Sequence, residues 1–269
     1  MRQRLALTLT LLLPIAVACS SQEPPAPAAP AAPAATAAEA AAGTAAAPAP
    51  AEPSPAAVAA VQAAMAASES GPPPVEGSDY VVIENGQPFE PLDGKVEVVE
   101  AFGYTCPHCA NFQPLVNAWK AQLPEDVRFT YVAAPFGGFW IPYAKAYYAA
   151  EAEGVLAQSH DAMFRALHIE RSLPIQGATS EQIAQWYAKF GVDPKRFAAT
   201  MDSFATNAKL NRARQFLQRS GVDGTPSMVV NGKYKVTARS LEDTLRITHQ
   251  LVQRERAAAQ GEPQAAAAE

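Results

Sequence analysis

The sequence predicts an α/β fold, in which a mixed β-sheet is flanked by helices and an all-helical segment is inserted between two groups of strands. Three observations lead to this prediction. Short apolar runs typical of strands occur before residue 134 and after residue 226, and a long stretch of helical periodicity lies between them. A Cys-x-x-Cys motif, Cys106 to Cys109, lies where one apolar run passes into a helical pattern.

Five strands are predicted from apolar runs that end at turn residues. The turn at Asn85-Gly86 closes the first run, and Asn231-Gly232 joins the last two runs as a hairpin. The second run leads directly to Cys106, so the cysteine follows the end of a buried strand. The predicted strands cover residues 80–83, 95–104, 127–133, 227–230 and 234–237.

The helices are predicted from apolar spacing and from their end signals. Asp193-Pro194 is a cap followed by a first helical residue, and Gly191 stops the helix before it. Ser240 with Asp243 three residues later resembles a capping box and starts the last helix. The other predicted helices cover residues 110–123, 140–153, 160–171, 180–190 and 206–219.

The first residues have the plan of a secretory signal peptide over residues 1–18. Arg2 and Arg4 precede a short apolar run, and Ala16-Val17-Ala18 then leads into Cys19. This end resembles a bacterial lipobox, which predicts lipidation of Cys19 and anchoring to a membrane surface. The alternative is ordinary cleavage after Ala18, which leaves a free thiol. Export places the protein where disulfides persist, in the periplasm.

Residues 19–77 are rich in Ala and Pro, which predicts a tether rather than a packed domain. A short helix over residues 56–68 is favoured by its alanines, although isolated short helices are marginal. The folded unit is predicted as residues 78–138 and 222–256 with residues 139–221 inserted, and residues 257–269 as a tail. The formal net charge is −5 without basic clusters, so no nucleic-acid partner is expected.

The spacing of Cys106 and Cys109 is that of a dithiol which closes a disulfide within one helical turn. Cys106 precedes the helix, where unpaired N–H groups favour its thiolate, and we interpret it as the attacking sulfur. Cys109 is the resolving thiol, and His108 between them favours the thiolate further. Half of a zinc site and a static disulfide are the alternatives. Zinc needs about four ligands, and no second Cys-x-x-Cys exists, so we expect no metal and no cofactor.

The stretch EAFGYTCPHC, residues 100–109, resembles the active-site strand and turn of the DsbA family, which consists of thioredoxin-fold oxidases. Pro107-His108 is the dipeptide typical of that family. Residues 221–234, GVDGTPSMVVNGKY, resemble its second motif, a cis-proline loop that leads into a strand. The resemblance spans residues 78–256 and implies a thioredoxin-like mixed sheet with an inserted helical domain.

The resemblance also implies roles for further residues. Pro226 matches the cis-proline, and Thr225 before it offers backbone groups to an extended substrate peptide. Glu100 matches a buried acid that exchanges a proton with Cys109. The implied substrates are exported proteins with cysteines, and a DsbB-like membrane quinone reductase would reoxidise the protein, which we expect to be a monomer.

These features predict a periplasmic dithiol oxidase that introduces disulfides through Cys106 and Cys109. A reductase or isomerase with the same cysteines is the alternative, because Thr at position 225 occurs in isomerases of this superfamily. A chaperone-like binding protein without redox turnover is a third hypothesis. The aromatic residues between 139 and 148 either pack in a core or line a substrate groove, and their helical spacing favours the core.

Overall fold

The computed structural model describes residues 54–261, which form eight α-helices, five strands and one 3₁₀ turn. The predicted signal peptide and Cys19 lie outside these residues. In chain order the elements are α1 (Pro55–Ser70), β1 (Tyr80–Val82), β2 (Val96–Phe102), α2 (Pro107–Lys120), β3 (Val127–Ala133), α3 (Trp140–Ala152), α4 (Leu156–His168), α5 (Ser180–Tyr187), the 3₁₀ turn (Ala188–Phe190), α6 (Pro194–Met201), α7 (Phe204–Arg219), β4 (Ser227–Val230), β5 (Tyr234–Val236) and α8 (Leu241–Ala259).

The five strands form one mixed sheet in the order β1-β5-β4-β2-β3. Strands β2 and β3 are parallel, whereas β4 is antiparallel to both β2 and β5, and β5 is antiparallel to β1. Every residue of β2 is buried, which explains its nearly continuous apolar sequence. The segment that carries the cysteines therefore leaves an interior strand of the sheet, which lies next to the edge strand β3.

Alternating side chains of the sheet face two separate hydrophobic clusters. Val98 and Val230 pair in register and face a layer made of α1, α2 and α8. Val99 and Val229 pair beside them and face the helices of the insertion. The sheet is thus covered on both faces, as the α/β prediction requires.

Helices α3 to α7 connect β3 to β4 and form the predicted insertion. Their start signals work as expected: Thr179 and Gln182 form a capping box at α5, and Asp193 caps α6. Tyr187 and Phe197 stack with ring centroids 4.1 Å apart. The aromatic residues Tyr143, Tyr147 and Tyr148 are buried, so the core prediction is confirmed for them.

The predicted tether of residues 19–77 is wrong over its last part. Helix α1 begins after the cap Ser54 and packs against α8 and α2 through Ala57, Val61 and Ala64. The favoured short helix therefore exists, but it is part of the domain. The sequence of α1 has no wide apolar stripe. It can still pack against its neighbours because alanine side chains let two helix backbones approach closely.

The C-terminal boundary also differs slightly from the prediction. Helix α8 continues to Ala259, three residues beyond the predicted limit at residue 256. Glu255 and Arg256 contact the domain through Asn231 and Asp126. Residues 262–269 of the predicted tail lie outside the described residues. Between residues 54 and 261, no helix has both the length and the apolar character needed to cross a bilayer.

Candidate active site

Cys106 and Cys109 lie at the junction of β2 and α2. Cys106 is the N-cap residue of α2 with extended backbone angles, and Pro107 is the first helical residue. Cys106 is 7% exposed whereas Cys109 is fully buried, and both are free thiols in the structure. Pro107 and His108 are exposed at the helix start. A partner can therefore reach Cys106 but not Cys109, as the sequence predicts.

Several hydrogen bonds stabilise the Cys106 thiolate and lower the pKa of Cys106 to about 5. The largest contribution comes from the Cys109 thiol, and the backbone N–H groups of Cys109 and His108 add to it. Burial acts in the opposite direction. The helix start thus supplies donors that no intrahelical carbonyl uses.

The pKa of Cys109 changes in the opposite direction. Burial raises it well above the ordinary range of a thiol, and the hydrogen bond to Cys106 raises it further. When both thiols are reduced, the proton therefore stays on Cys109 and the negative charge stays on Cys106. This asymmetry makes Cys106 a good leaving group and stabilises the reduced state of the pair.

The loop before β4 lies against the exposed sulfur. The Cys106 thiol donates to the backbone carbonyl of Thr225 at 3.4 Å. The Thr225–Pro226 peptide bond is cis, as the resemblance implied. Because β4 pairs antiparallel with β2, the loop before β4 and the cysteine after β2 lie at the same end of the sheet. Backbone groups of Thr225 are thus within reach of a peptide bound to Cys106.

Glu100 is fully buried on β2, and neither of its carboxylate oxygens has a hydrogen-bond partner among the described residues. Burial raises the pKa of Glu100 to about 8, Lys120 opposes this shift, and Cys106 adds to it. A carboxyl group with this pKa is largely protonated at neutral pH. It can therefore give or take a proton in the interior beneath the cysteines.

Several polar residues beneath the site were not singled out from the sequence. Lys120 Nζ donates to the Tyr131 hydroxyl at 3.3 Å, and the same hydroxyl accepts from Gln113 Nε2 at 2.8 Å. Lys120 follows Cys109 by eleven residues, or about three helical turns, which places both on one side of α2. That spacing is the signal by which Lys120 could have been found.

Gly103, between β2 and the cysteines, was also missed. A Cβ atom there would lie 2.0 Å from the Trp140 ring, so only glycine leaves room for this side chain. Trp140 also packs near Phe136 and Phe139, which are 40% and 38% exposed. These aromatic side chains therefore form an apolar surface beside the chain segment that leads to Cys106.

The histidines near the site make specific protein contacts. His160 Nδ1 lies 2.8 Å from the Tyr104 hydroxyl, and His168 Nε2 lies 2.7 Å from the Tyr104 carbonyl. Both histidines thus hold the residue two positions before Cys106. Within residues 54–261, no group of three or more His, Cys, Asp or Glu side chains has an arrangement that could hold a metal ion.

The model of one protein family, the DSBA-like thioredoxin domain, matches residues 97–247. The chain belongs to this family. Its relatives include the thiol:disulfide interchange protein DsbA of Pseudomonas aeruginosa PAO1, which is 39% identical over 186 residues, covering 68% of this chain and 86% of the relative. The protein of the same name from Azotobacter vinelandii is 38% identical over 185 residues, covering 68% and 85%.

Solved structures of DsbA proteins have the same fold. The oxidoreductase DsbA from Xylella fastidiosa is 52% identical and superposes with a TM-score of 0.68, covering 68% of this chain and 98% of that one. Pseudomonas aeruginosa DsbA is 38% identical, with a TM-score of 0.63 and coverages of 68% and 95%. The predicted thioredoxin-like fold with a helical insertion is therefore confirmed.

Proposed function

We propose that this DsbA-family protein is a periplasmic dithiol oxidase, which introduces disulfides into exported proteins through Cys106 and Cys109. The observation that supports the proposal is that the pKa values of the two thiols are shifted in opposite directions. The pKa of Cys106 is lowered to about 5, while burial raises that of Cys109. A stable Cys106 thiolate favours the reduced enzyme and so makes the disulfide a strong oxidant.

The reaction begins with the disulfide form of the protein. A substrate thiolate attacks Cys106 Sγ, the bond to Cys109 breaks, and Cys109 leaves with the electron pair. A second substrate thiolate then attacks the substrate sulfur of this mixed disulfide. The bond to Cys106 breaks, the substrate gains its disulfide, and Cys106 leaves as a thiolate. The substrate is oxidised by two electrons and the protein is reduced by two.

Glu100 supplies the proton that the buried sulfur needs. Cys109 leaves as a thiolate in the interior, where burial strongly favours its neutral form. Glu100, with a pKa of about 8, carries a proton at neutral pH and can transfer it to Cys109 through an internal water. His108 is exposed beside the cysteines, where an imidazole N–H can favour the Cys106 thiolate.

The loop at Thr225 and Pro226 holds the substrate. Its position beside Cys106 Sγ supports binding of an extended peptide through the backbone groups of Thr225. The partners are exported proteins with cysteines, and a DsbB-like membrane quinone reductase that reoxidises the pair. Lipidation of Cys19 anchors the protein to a membrane surface, and the catalytic domain acts as a monomer.

The redox equilibrium with glutathione tests the oxidase function. The full chain is equilibrated with reduced and oxidised glutathione, and the fraction of disulfide is measured by thiol alkylation. We expect a potential at least about 100 mV more oxidising than the roughly −270 mV typical of thioredoxin. The Cys106→Ser variant is the control and should show no exchange.

A potential as low as that of thioredoxin would contradict the oxidase and favour the reductase. Refolding of a substrate with scrambled disulfides distinguishes an isomerase from an oxidase or a reductase. Only an isomerase restores the native disulfide pairing without added oxidant. If the Cys106→Ser variant retained full function on exported proteins, a chaperone-like role without redox turnover would replace both.

A further inference from the structure

One side of helix α4 contacts Tyr104, the residue two positions before Cys106. His160, Phe164 and His168 follow each other at intervals of four residues, which places them on the same side of the helix. The ring centroids of His160 and Phe164 lie 5.3 and 5.1 Å from that of Tyr104. His168, the last residue of α4, has its Nε2 atom 2.7 Å from the Tyr104 carbonyl oxygen. The helical insertion thus contacts both the ring and the backbone of Tyr104.

The Tyr104 carbonyl lies at the centre of a tight turn. The Cys106 N–H donates to the Gly103 carbonyl at 3.0 Å, which closes a four-residue turn with Tyr104 and Thr105 in the middle. Neither middle residue has a positive φ, as in a type I turn. The closing hydrogen bond does not involve the peptide group between the two middle residues. The orientation of that peptide group therefore depends on contacts from outside the turn.

His168 supplies such a contact. A carbonyl oxygen can only accept, so Nε2 of His168 carries the hydrogen and donates it. Tyr104 is 2% exposed, and no other donor within residues 54–261 bonds to its carbonyl. The buried hydroxyl of Thr105 has no hydrogen-bond partner among these residues either. Without the His168 N–H, a buried carbonyl would lack a partner, and the turn would have to move to bring it to water.

The position of this turn affects Cys106 directly. Cys106 is the last residue of the turn and also the N-cap of α2, with φ −86° and ψ 117°. The backbone N–H groups of His108 and Cys109 bond to its sulfur from the first turn of the helix. A movement of the turn would shift Cys106 Sγ relative to these donors. The contact that holds the turn therefore also maintains the alignment of the sulfur with the helix start.

We propose that His168 is a positioning residue for thiol exchange, because its Nε2–H holds the central peptide of the turn over residues 103–106 and keeps Cys106 aligned with the start of α2. The proposal rests on the proposed function and extends it to a residue of the helical insertion. His168 acts through the backbone of Tyr104 and does not touch the reacting sulfur atoms.

The alternative role of this hydrogen bond is purely structural, as a connection between the insertion and the sheet. In both cases, loss of the bond lowers the stability of the protein. Only a positioning role also changes the proton affinity and the redox equilibrium of Cys106, since these depend on the donors around its sulfur. Measurements at the sulfur therefore distinguish the two roles.

Three variants separate the hydrogen bond from general packing. His168→Phe removes the donor but keeps a ring beside Phe164. His168→Gln restores an N–H group, because the amide nitrogen of glutamine is as many bonds from Cβ as Nε2 of histidine. His249→Phe is the matched control: His249 is also buried in a helix, its Nε2 lies 3.1 Å from Gln253 Nε2, and α8 packs on the other face of the sheet.

The first readout is the titration of Cys106 in the reduced full chain, followed by the ultraviolet absorbance of the thiolate. We expect its midpoint to rise by about one pH unit in His168→Phe and to stay within about 0.3 unit of the wild type in His168→Gln and His249→Phe. At neutral pH, the equilibrium with glutathione should then shift by about tenfold towards the disulfide form in His168→Phe alone.

Equal midpoints in His168→Phe and the wild type would overturn the proposal. An equal rise in His249→Phe would show a general effect of replacing a buried histidine, and would also overturn it. If His168→Gln behaved like His168→Phe, the N–H group would not be the feature that positions Cys106.

Tyr104→Phe tests whether the carbonyl of Tyr104 matters rather than its side chain. This change removes the hydroxyl that lies 2.8 Å from His160 Nδ1 but leaves the bond between the carbonyl and His168. We expect unfolding at a lower denaturant concentration, with the Cys106 midpoint still within about 0.3 unit of the wild type. A rise equal to that in His168→Phe would contradict the role of the carbonyl bond.

Nitrogen NMR of the histidine-labelled wild-type chain remains informative if His168→Phe does not fold. His168 should carry a hydrogen on Nε2, and a neutral ring with its hydrogen on Nδ1 would overturn the proposal. All variant results are differences from the wild type. A wild-type potential as low as that of thioredoxin would therefore contradict the oxidase function and leave the predicted effect of His168→Phe in place.

Discussion

The pKa values of Cys106 and Cys109 are shifted in opposite directions because the helix begins between the two residues. Cys106 is the last residue outside α2, so free N–H groups and the Cys109 thiol donate to it. Cys109 lies inside the first turn and has no exposure to water.

Acidification should destabilise the reduced protein through Cys106. The pKa of this thiol is about 5 in the fold, below its ordinary value of 9.0, so the folded state favours the charged form. The resulting stability is present above about pH 9 and is lost as the pH falls towards 5, on the order of a few kcal/mol in total. Denaturant unfolding of the reduced protein measures it.

The Cys106→Ala variant is the control for this prediction, because it keeps Glu100 and removes only the titrating thiol. Its free energy of unfolding should lack this component of the pH dependence. Ultraviolet absorbance of the thiolate should show a midpoint near pH 5 in the wild type. A midpoint near that of free cysteine would contradict the proposed site.

Glu100 should contribute the opposite pH dependence, and the Glu100→Gln substitution should remove it. The pKa of Glu100 is about 8 in the folded protein and 4.5 ordinarily. Between these two pH values the unfolded chain has lost the proton that the folded protein keeps, and this difference stabilises the unfolded state. The wild type therefore loses stability as the pH rises from about 4.5 to 8, by several kcal/mol in order of magnitude. Glu100→Gln removes this loss and should be the more stable protein at alkaline pH.

The exposed residue Glu84 provides the matched control. Because Glu84 is exposed, Glu84→Gln should stay within about 0.5 kcal/mol of the wild-type free energy of unfolding, as measured by denaturant titration across the same range. Equal pH profiles for Glu100→Gln and the wild type would show that Glu100 is ionised in the fold at neutral pH.

At the scale of elements, the end of β2 and the start of α3 are in contact because the Trp140 ring packs against Gly103. The Trp140 ring occupies the space that a Cβ atom at position 103 would need. We expect Gly103→Ala to destabilise the protein by about 1–3 kcal/mol, the usual range for an overpacked site. Combining it with Trp140→Ala should cost less than the sum of the two single changes, measured as a double-mutant cycle.

Helix α1 should contribute measurably to the stability of the domain. Val61 is 1% exposed against α8 and α2, whereas its neighbour Gln62 is exposed. Val61→Asp places an unpaired charge in this contact and should lower the free energy of unfolding by about 2–4 kcal/mol. Gln62→Asp should stay within about 0.5 kcal/mol of the wild type. Similar effects of both would show that α1 is not docked in solution.

The strands and the active-site turn were predictable because their signals are local. The bounds of β3 and β4 match the predictions, as does the position of Cys106 at the start of α2. Docking of α1 was not predictable, since its small side chains give no apolar stripe and its partner α8 is far away in sequence. Tyr131 was missed for a similar reason, because only the tertiary fold pairs it with Glu100 in the sheet. Lys120 was within reach of sequence reasoning through its spacing from Cys109 on α2.

At the scale of the whole molecule, we expect the folded domain to be a monomer. The large apolar side chains that are exposed within residues 54–261 are Val75, Val82, Phe136, Phe139, Ile169 and Phe204. Of these, Phe136 and Phe139 belong to the small aromatic surface around Trp140. Stable dimers usually need larger continuous apolar areas. Light scattering of a preparation that begins at Ser54 should therefore give the mass of one chain, and a concentration-dependent doubling would contradict this expectation.

For the proposed lipidated protein, the docking of α1 would also limit the distance between the membrane and the folded domain. If Cys19 carries the proposed acyl chains, only the 35 peptide units between Cys19 and Ser54 separate the bilayer from the folded body. At about 3.5 Å per peptide unit, this tether can be at most about 120 Å long. For a domain that begins at residue 78, the maximum length would be about 200 Å. With Cys19 lipidated, release of α1 would lengthen this tether and increase the distance from the membrane at which the thiols can meet other proteins.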